Sequence, residues 1–247
     1  MAKKSRTPDP PRRVQAPKAR QSPRRGLDPE RRRALLLYGG ATAAAIAVIV
    51  VLAFVLRGGG DGPEAPDPAK IAATMRGAGC TFREVPEAGR GHIGAQDQQV
   101  TYKTYPPTTG NHHPTPTILG NYRQPVDPRQ AVHQLEHGSI VIWYGPRISA
   151  DDRAALDGFY DKSPNAVLIS PIEERPPFVK YPKHEALTSE IALTAWIASI
   201  RGGSAVDGRG LIAVCPEFDE GAFAAFRDAF RGKGPERIPV DQMRPGT

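Results

Sequence analysis

The sequence predicts an α+β domain with a small sheet, preceded by one N-terminal transmembrane helix. Three observations predict it. An uncharged run of 23 residues, Ala34–Leu56, divides the chain. Helical and β-like segments alternate beyond that run in the order βαββα, as in a mixed layer architecture. The charge changes sign across the run: the 247 residues carry a net +7, yet residues 1–33 alone come to +9 and residues 57–247 to −2. This split excludes a uniformly basic nucleic-acid-binding domain and a simple soluble cytoplasmic protein.

Residues 1–33 hold 12 Lys or Arg and six Pro. Such a segment cannot bury enough apolar surface to fold and reads as a disordered cytoplasmic tail. Its expected partners are anionic lipid headgroups, each nearby basic residue contributing about 1 kcal/mol. It offers no aromatic residue on which a nucleic-acid base could stack, so no nucleic-acid partner is expected. The run at 34–56 reaches about 34 Å as a helix, enough for a hydrocarbon core of about 30 Å. It shows no polar face, and the 33 residues before it are too many for a cleaved signal peptide, so it reads as an uncleaved single-pass anchor. Arg31, Arg32 and Arg33 on one flank against Arg57 alone on the other place the N-terminus in the cytoplasm and the C-terminal domain outside, at the cell membrane. Residues 57–68 are rich in Gly and Pro and read as a stalk, leaving 69–247 as one extracytoplasmic domain.

Within the domain a helix is expected at Pro68–Gly77 and a strand at Val100–Tyr105, followed by a Pro-rich loop to about Pro128. A short helix over Asp127–His137 is stopped by Gly138, and the apolar Ser139–Tyr144 reads as strand. Ser149 is placed to cap a helix running through Tyr160, which leads to a strand at Ala166–Ser170. Ile191–Trp196 reads as strand on its β-branched and aromatic content. Glu217–Arg231 has the spacing of an amphipathic helix, with Phe218, Ala222, Ala225, Phe226 and Ala229 on one face. Arg231–Glu236 then reads as a helix stop and an exposed turn.

The domain contains only Cys80 and Cys215. Outside the cytoplasm the expectation is one disulfide between the first helix region and the last strand, worth roughly 5 kcal/mol in the chain-entropy view. Reduced thiols would instead offer a nucleophile or a soft metal ligand.

All six histidines follow the membrane run, and five fall between His92 and His137. His133 and His137 stand at i and i+4 on the short helix, so their rings leave the same face. His112 and His113 lie in a loop whose prolines limit its wandering. These four are the candidate metal ligands, with Glu136, His92 and Tyr105 as supporting residues. Imidazole-rich sets suit zinc, copper or nickel better than calcium or magnesium, and zinc or copper is the expected ion. The duller reading is structural hydrogen bonding by the same rings.

His133-Gln134-Leu135-Glu136-His137 also fits the H-x-x-E-H pattern of inverted zinc peptidases. That class needs a distant acidic ligand in a larger fold, so enzymatic activity is not the favoured reading and no catalytic residue is assigned. Gly89–Gly94 fits G-x-G-x-x-G, but a strand follows where a phosphate-binding helix is needed, and no cofactor-binding loop is assigned.

Tyr105-Pro106-Pro107-Thr108-Thr109-Gly110-Asn111-His112-His113-Pro114, then Gly120-Asn121-Tyr122 and Val132-His133-Gln134-Leu135-Glu136-His137-Gly138, carry a resemblance. So do Gly79-Cys80, Ala195-Trp196 and Gly234-Pro235-Glu236. Together they resemble the bacterial, actinobacterial-type, membrane-anchored domain of unknown function 3105 family, with Thr109 where Ser is common. The resemblance implies an envelope protein and names no ligand. It places His92, His112, His113, His133, Glu136 and His137 in the family's motif stretches, and Tyr105–Pro114 is expected to fold over the His133–His137 helix. The leading expectation is a membrane-tethered module binding a transition metal or small polar ligand. The alternatives are a structural or interaction module of the envelope and a zinc-dependent hydrolase.

Overall fold

The computed structural model describes residues 65–182 and 184–247. The expected tail, membrane run and stalk as far as residue 64 lie outside the described residues. Among the described residues no helix is long and apolar enough to cross a membrane.

Strands β3 (Ile140–Tyr144) and β6 (Ile191–Arg201) are buried along nearly their whole length. The cause is a sheet covered on both faces, which turns the usual alternation of strand side chains into a continuous apolar run. Five strands make this sheet in the order β1 (Thr81–Pro86), β7 (Ser204–Cys215), β6, β3 and β4 (Val167–Pro171). Only the β3–β4 pair is parallel. Helix α3 (Ala150–Lys162) makes the crossover that a parallel pair requires.

On one face Ile140, Ile142, Leu193 and Ala195 meet Met75 of α1 (Pro68–Gly77), Leu156 and Phe159 of α3, and Phe223, Phe226 and Phe230 of α4 (Glu220–Phe230). On the other, Val141, Trp143, Leu168 and Trp196 meet Val132 and Leu135 of α2 (Pro128–His137), with Tyr102, Tyr105 and Leu119 from the loops. Each large side chain buried this way contributes about 1.5–3 kcal/mol of transfer free energy. The second face carries the histidines.

The mixed α+β class with a small sheet holds, and the helices fall close to their expected places. Asp67, Asp127, Ser149 and Asp219 cap them through side-chain oxygens that accept backbone N–H groups. Several details differ. The strand expected at Val100–Tyr105 is only β2 (Val100–Thr101), parallel to β5 (Val179–Lys180). Pro176, Pro177 and Pro182 flank β5 and cannot donate to a ladder, so it stays short. The strand expected to end at Trp196 runs on to Arg201 and turns at Gly202-Gly203, both at positive φ, into β7. Such a two-residue turn matches the twist of a hairpin. Strand β1 was absent from the expected order because Thr81, Arg83 and Glu84 face solvent at the sheet edge and break the apolar pattern. The expected exposed turn at Arg231–Glu236 is corrected as well: Gly234 and Pro235 are buried.

Cys80 and Cys215 form the expected disulfide, across a separation of 135 residues. It fastens the chain just after α1 to the end of β7. Ala65, which the sequence places in the stalk, is buried and donates its amide to Ser199 Oγ at 3.1 Å.

Candidate metal centre

Helix α2 forms where Pro128 occupies the first turn and Asp127 accepts the Arg129 amide at 2.8 Å. It ends because Gly138 takes the left-handed conformation, φ 107°. The segment after α4 then closes against this end. Gly232 N donates to Gly138 O at 2.7 Å, Glu236 N to Glu136 O at 3.2 Å and Ile238 N to His137 O at 3.2 Å. These bonds satisfy carbonyls that a helix end leaves open. The approach requires glycine: a Cβ on Gly234 would lie 2.4 Å from Glu136 O and 2.5 Å from Gly138 N.

Two further segments reach α2. His113 N donates to Arg129 O at 3.2 Å, and Gln134 Nε2 donates to Thr117 O, so residues 113–117 lie along the helix. Residues 87–93 run beside 110–112: Gly91 N donates to Asn111 Oδ1, His112 N to Gly91 O and Ile93 N to His112 O, at 3.0, 3.0 and 2.8 Å. Gly89 and Gly91 permit this pairing, since a Cβ at either would stand 2.9 or 3.1 Å from Asn111 Oδ1. Glu87 anchors the same segment by accepting from Trp196 Nε1 at 3.0 Å and pairing with Arg90.

The result is a convergence of His92, His112, His133 and Glu136, whose ligand atoms all lie within 4.8 Å of one another. The three rings are spaced 4.9 to 5.0 Å between centroids. His112 and His133 have their tautomers set from outside the group. His112 Nδ1 is 2.8 Å from Gly110 O and His133 Nδ1 is 2.7 Å from His113 O. A carbonyl can only accept, so both Nδ1 atoms carry hydrogen, and in the neutral rings Nε2 keeps a lone pair. His112 Nε2 comes within 3.0 Å of Glu136 Oε2. The contact is not directed as a hydrogen bond, and this ring nitrogen, on a fully buried side chain, has no hydrogen-bonding partner among the described residues. A lone pair facing a carboxylate oxygen is repulsive unless a proton or a metal cation lies between them.

The electrostatics favour the neutral ring at His133 and at His137. Burial pushes the pKa of His133 down, and the charges of His112 and His92 add to it. Burial, then His133, holds His137 down to about 4. For Glu136 burial acts upward but is outweighed by His112, His133 and His92, and the carboxyl ends below its ordinary value. Neutral imidazoles with one carboxylate are the protonation state that binds metal. Tetrahedral ligands about 2.1 Å from an ion stand about 3.4 Å apart, so small side-chain rotations would close the observed spread.

Glu136 and His92, read from the sequence as supporting residues, therefore stand in the group itself beside His112 and His133. His113 takes part through its carbonyl, while its ring Nδ1 meets Thr115 at 3.0 Å. The ring of His137 packs 4.6 Å from that of His133, but its Nε2 lies 3.2 Å from Glu236 Oε2, outside the four. Tyr105 stacks on His184 at 3.9 Å instead. Glu236, read only within an exposed turn and the Gly234-Pro235-Glu236 motif, and the Glu87–Trp196 anchor were not assigned to the site, although the glycines at 138 and 234 mark the close contact that brings Glu236 in. The inverted-peptidase pattern fits poorly, because it needs His133 and His137 as the ligand pair with Glu136 as base. Five surface cavities of 330 to 450 Å³ are lined by none of the four residues.

Among known families, the model described as a protein of unknown function, DUF3105, matches residues 94–237. That span contains His112, His133, Glu136, His137 and Glu236 and begins just after His92. No curated protein and no solved structure matches the chain.

Proposed function

The chain belongs to the DUF3105 family, and we propose that it is a metal-binding module of the actinobacterial-type cell envelope, holding zinc or copper through His92, His112, His133 and Glu136. The observation that carries this reading is the paired tautomer lock: two imidazoles give their Nδ1 hydrogens to the backbone carbonyls of Gly110 and His113. Metal-binding histidines are oriented in this way by the hydrogen bond at their other nitrogen. Four protein ligands would fill a tetrahedral ion and leave no position for a substrate, which favours holding or transferring metal over hydrolysis.

The apolar run 34–56 anchors the module in the membrane, with tail 1–33 on the cytoplasmic side against anionic headgroups and the domain outside. The disulfide supports an oxidising compartment. Labelling in intact and permeabilised cells of a cysteine placed in the tail tests the topology, and reaction in intact cells would contradict it.

Metal analysis of the full chain, purified in detergent and dialysed against zinc, tests the binding. Zinc should be retained by the native protein and lost from His112→Ala and His133→Ala. Undiminished zinc in both variants would end the reading.

A further inference from the structure

His137 and Glu236 repeat, a few ångströms away, the arrangement of His112 and Glu136. In each pair an imidazole Nε2 faces a glutamate Oε2, at 3.2 Å in one and 3.0 Å in the other. Among the described residues each carboxylate pairs with a histidine and with no lysine or arginine. The ring of His133 lies between the pairs, 4.9 Å from His112 and 4.6 Å from His137. The two glutamates are also locked together in the backbone, since Glu236 N donates to Glu136 O and the contact of Gly138 with Gly234 fixes how the segments approach.

From this repeated pairing we infer that the centre is binuclear, with a second divalent transition-metal ion held by His137 and Glu236 beside the first. The inference rests on the metal-binding reading above and deepens it. A nitrogen and an oxygen on one ion at about 2.1 Å each stand about 3.4 Å apart, close to the observed 3.2 Å. The second position is the more open, with His137 17 % and Glu236 45 % exposed, so water completes its coordination. The second ion binds more weakly than the first and exchanges faster.

The test counts ions. The full chain in detergent is stripped with chelator, loaded with excess zinc, desalted and measured for zinc per chain. Two ions are expected for the native protein, one for Glu236→Gln and for His137→Ala, and fewer than one for His112→Ala. Glu236→Gln alters a half-exposed side chain by one atom, and a native circular dichroism spectrum confirms its fold. One ion in the native protein, unchanged by Glu236→Gln, would overturn the second site and leave the first standing. No ion in the native protein would overturn both. With copper(II), a spin-coupled pair should give less paramagnetic signal than the copper bound, and Glu236→Gln should restore the full signal of one ion. An uncoupled two-copper signal would overturn the shared centre.

Discussion

Replacing Gly234 by alanine tests the contact on which the site's geometry depends. The added methyl would stand 2.4 Å from Glu136 O, 2.5 Å from Gly138 N and 2.7 Å from Gly138 Cα, where ordinary contact begins near 3.4 Å. All three are backbone atoms, so no rotamer change relieves the overlap, and the segments must part by about 1 Å. Overpacking of this kind costs about 1–3 kcal/mol. The separation also weakens the bonds from Gly232, Glu236 and Ile238 to the end of α2, each worth about 1 kcal/mol. With all three bonds lost the total is about 4–6 kcal/mol, which for a domain of this size lowers Tm by roughly 8–24 °C. Gly158→Ala is the control. It sits within α3 with nothing within 4 Å of its added methyl, and the better helix propensity of alanine should raise Tm by a few degrees. Thermal melts followed by circular dichroism compare the two. A Gly234→Ala protein melting within about 1 °C of the native one would refute the backbone contact and the placing of Glu236 that depends on it.

The metal-free protein should lose stability as pH falls. His137 is held at about 4 in the fold against about 6.5 when unfolded, so the unfolded chain binds more protons and stability declines between these values, by at most about 3 kcal/mol. His133 acts in the same direction, and Glu236, whose carboxyl is raised, opposes it where the folded carboxyl takes up its proton before the unfolded one. Urea midpoints from pH 7.5 to 4.5 measure this, and a flat profile would contradict the burial of neutral rings. Reducing the Cys80–Cys215 bond should cost about 2–5 kcal/mol and lower Tm by roughly 4–20 °C without changing zinc per chain. Zinc lost on reduction would instead tie the cysteines to the site.

The helices were legible because their signals are local. Asp127, Pro128 and Gly138 define α2 from neighbouring residues, and Ser149 caps α3 as expected. The strands were harder to read. β1 hides behind Thr81, Arg83 and Glu84 because an edge strand need not be apolar, and β2 fails beyond Thr101 for want of a partner long enough to pair with it. The site was half legible. His112 and His133 meet as expected, and the spacing within α2 brings Glu136 to the same side. His92 joins through a backbone pairing with His112 that no periodicity announces, and His113 turns aside because its ring is engaged by Thr115. Glu236 lies 100 residues beyond Glu136, joined to it by the glycine contact and by one backbone hydrogen bond that no local pattern announces.

X-ray absorption at the zinc edge, on the full chain loaded with one equivalent, addresses the central proposal most directly. Three histidines and Glu136 should give a shell of four nitrogen and oxygen atoms at about 2.0–2.1 Å. Scattering from three imidazole rings should accompany it. A six-coordinate shell of oxygen without imidazole scattering would contradict the proposal, because zinc would then be held by water and surface carboxylates rather than by the histidines gathered against α2.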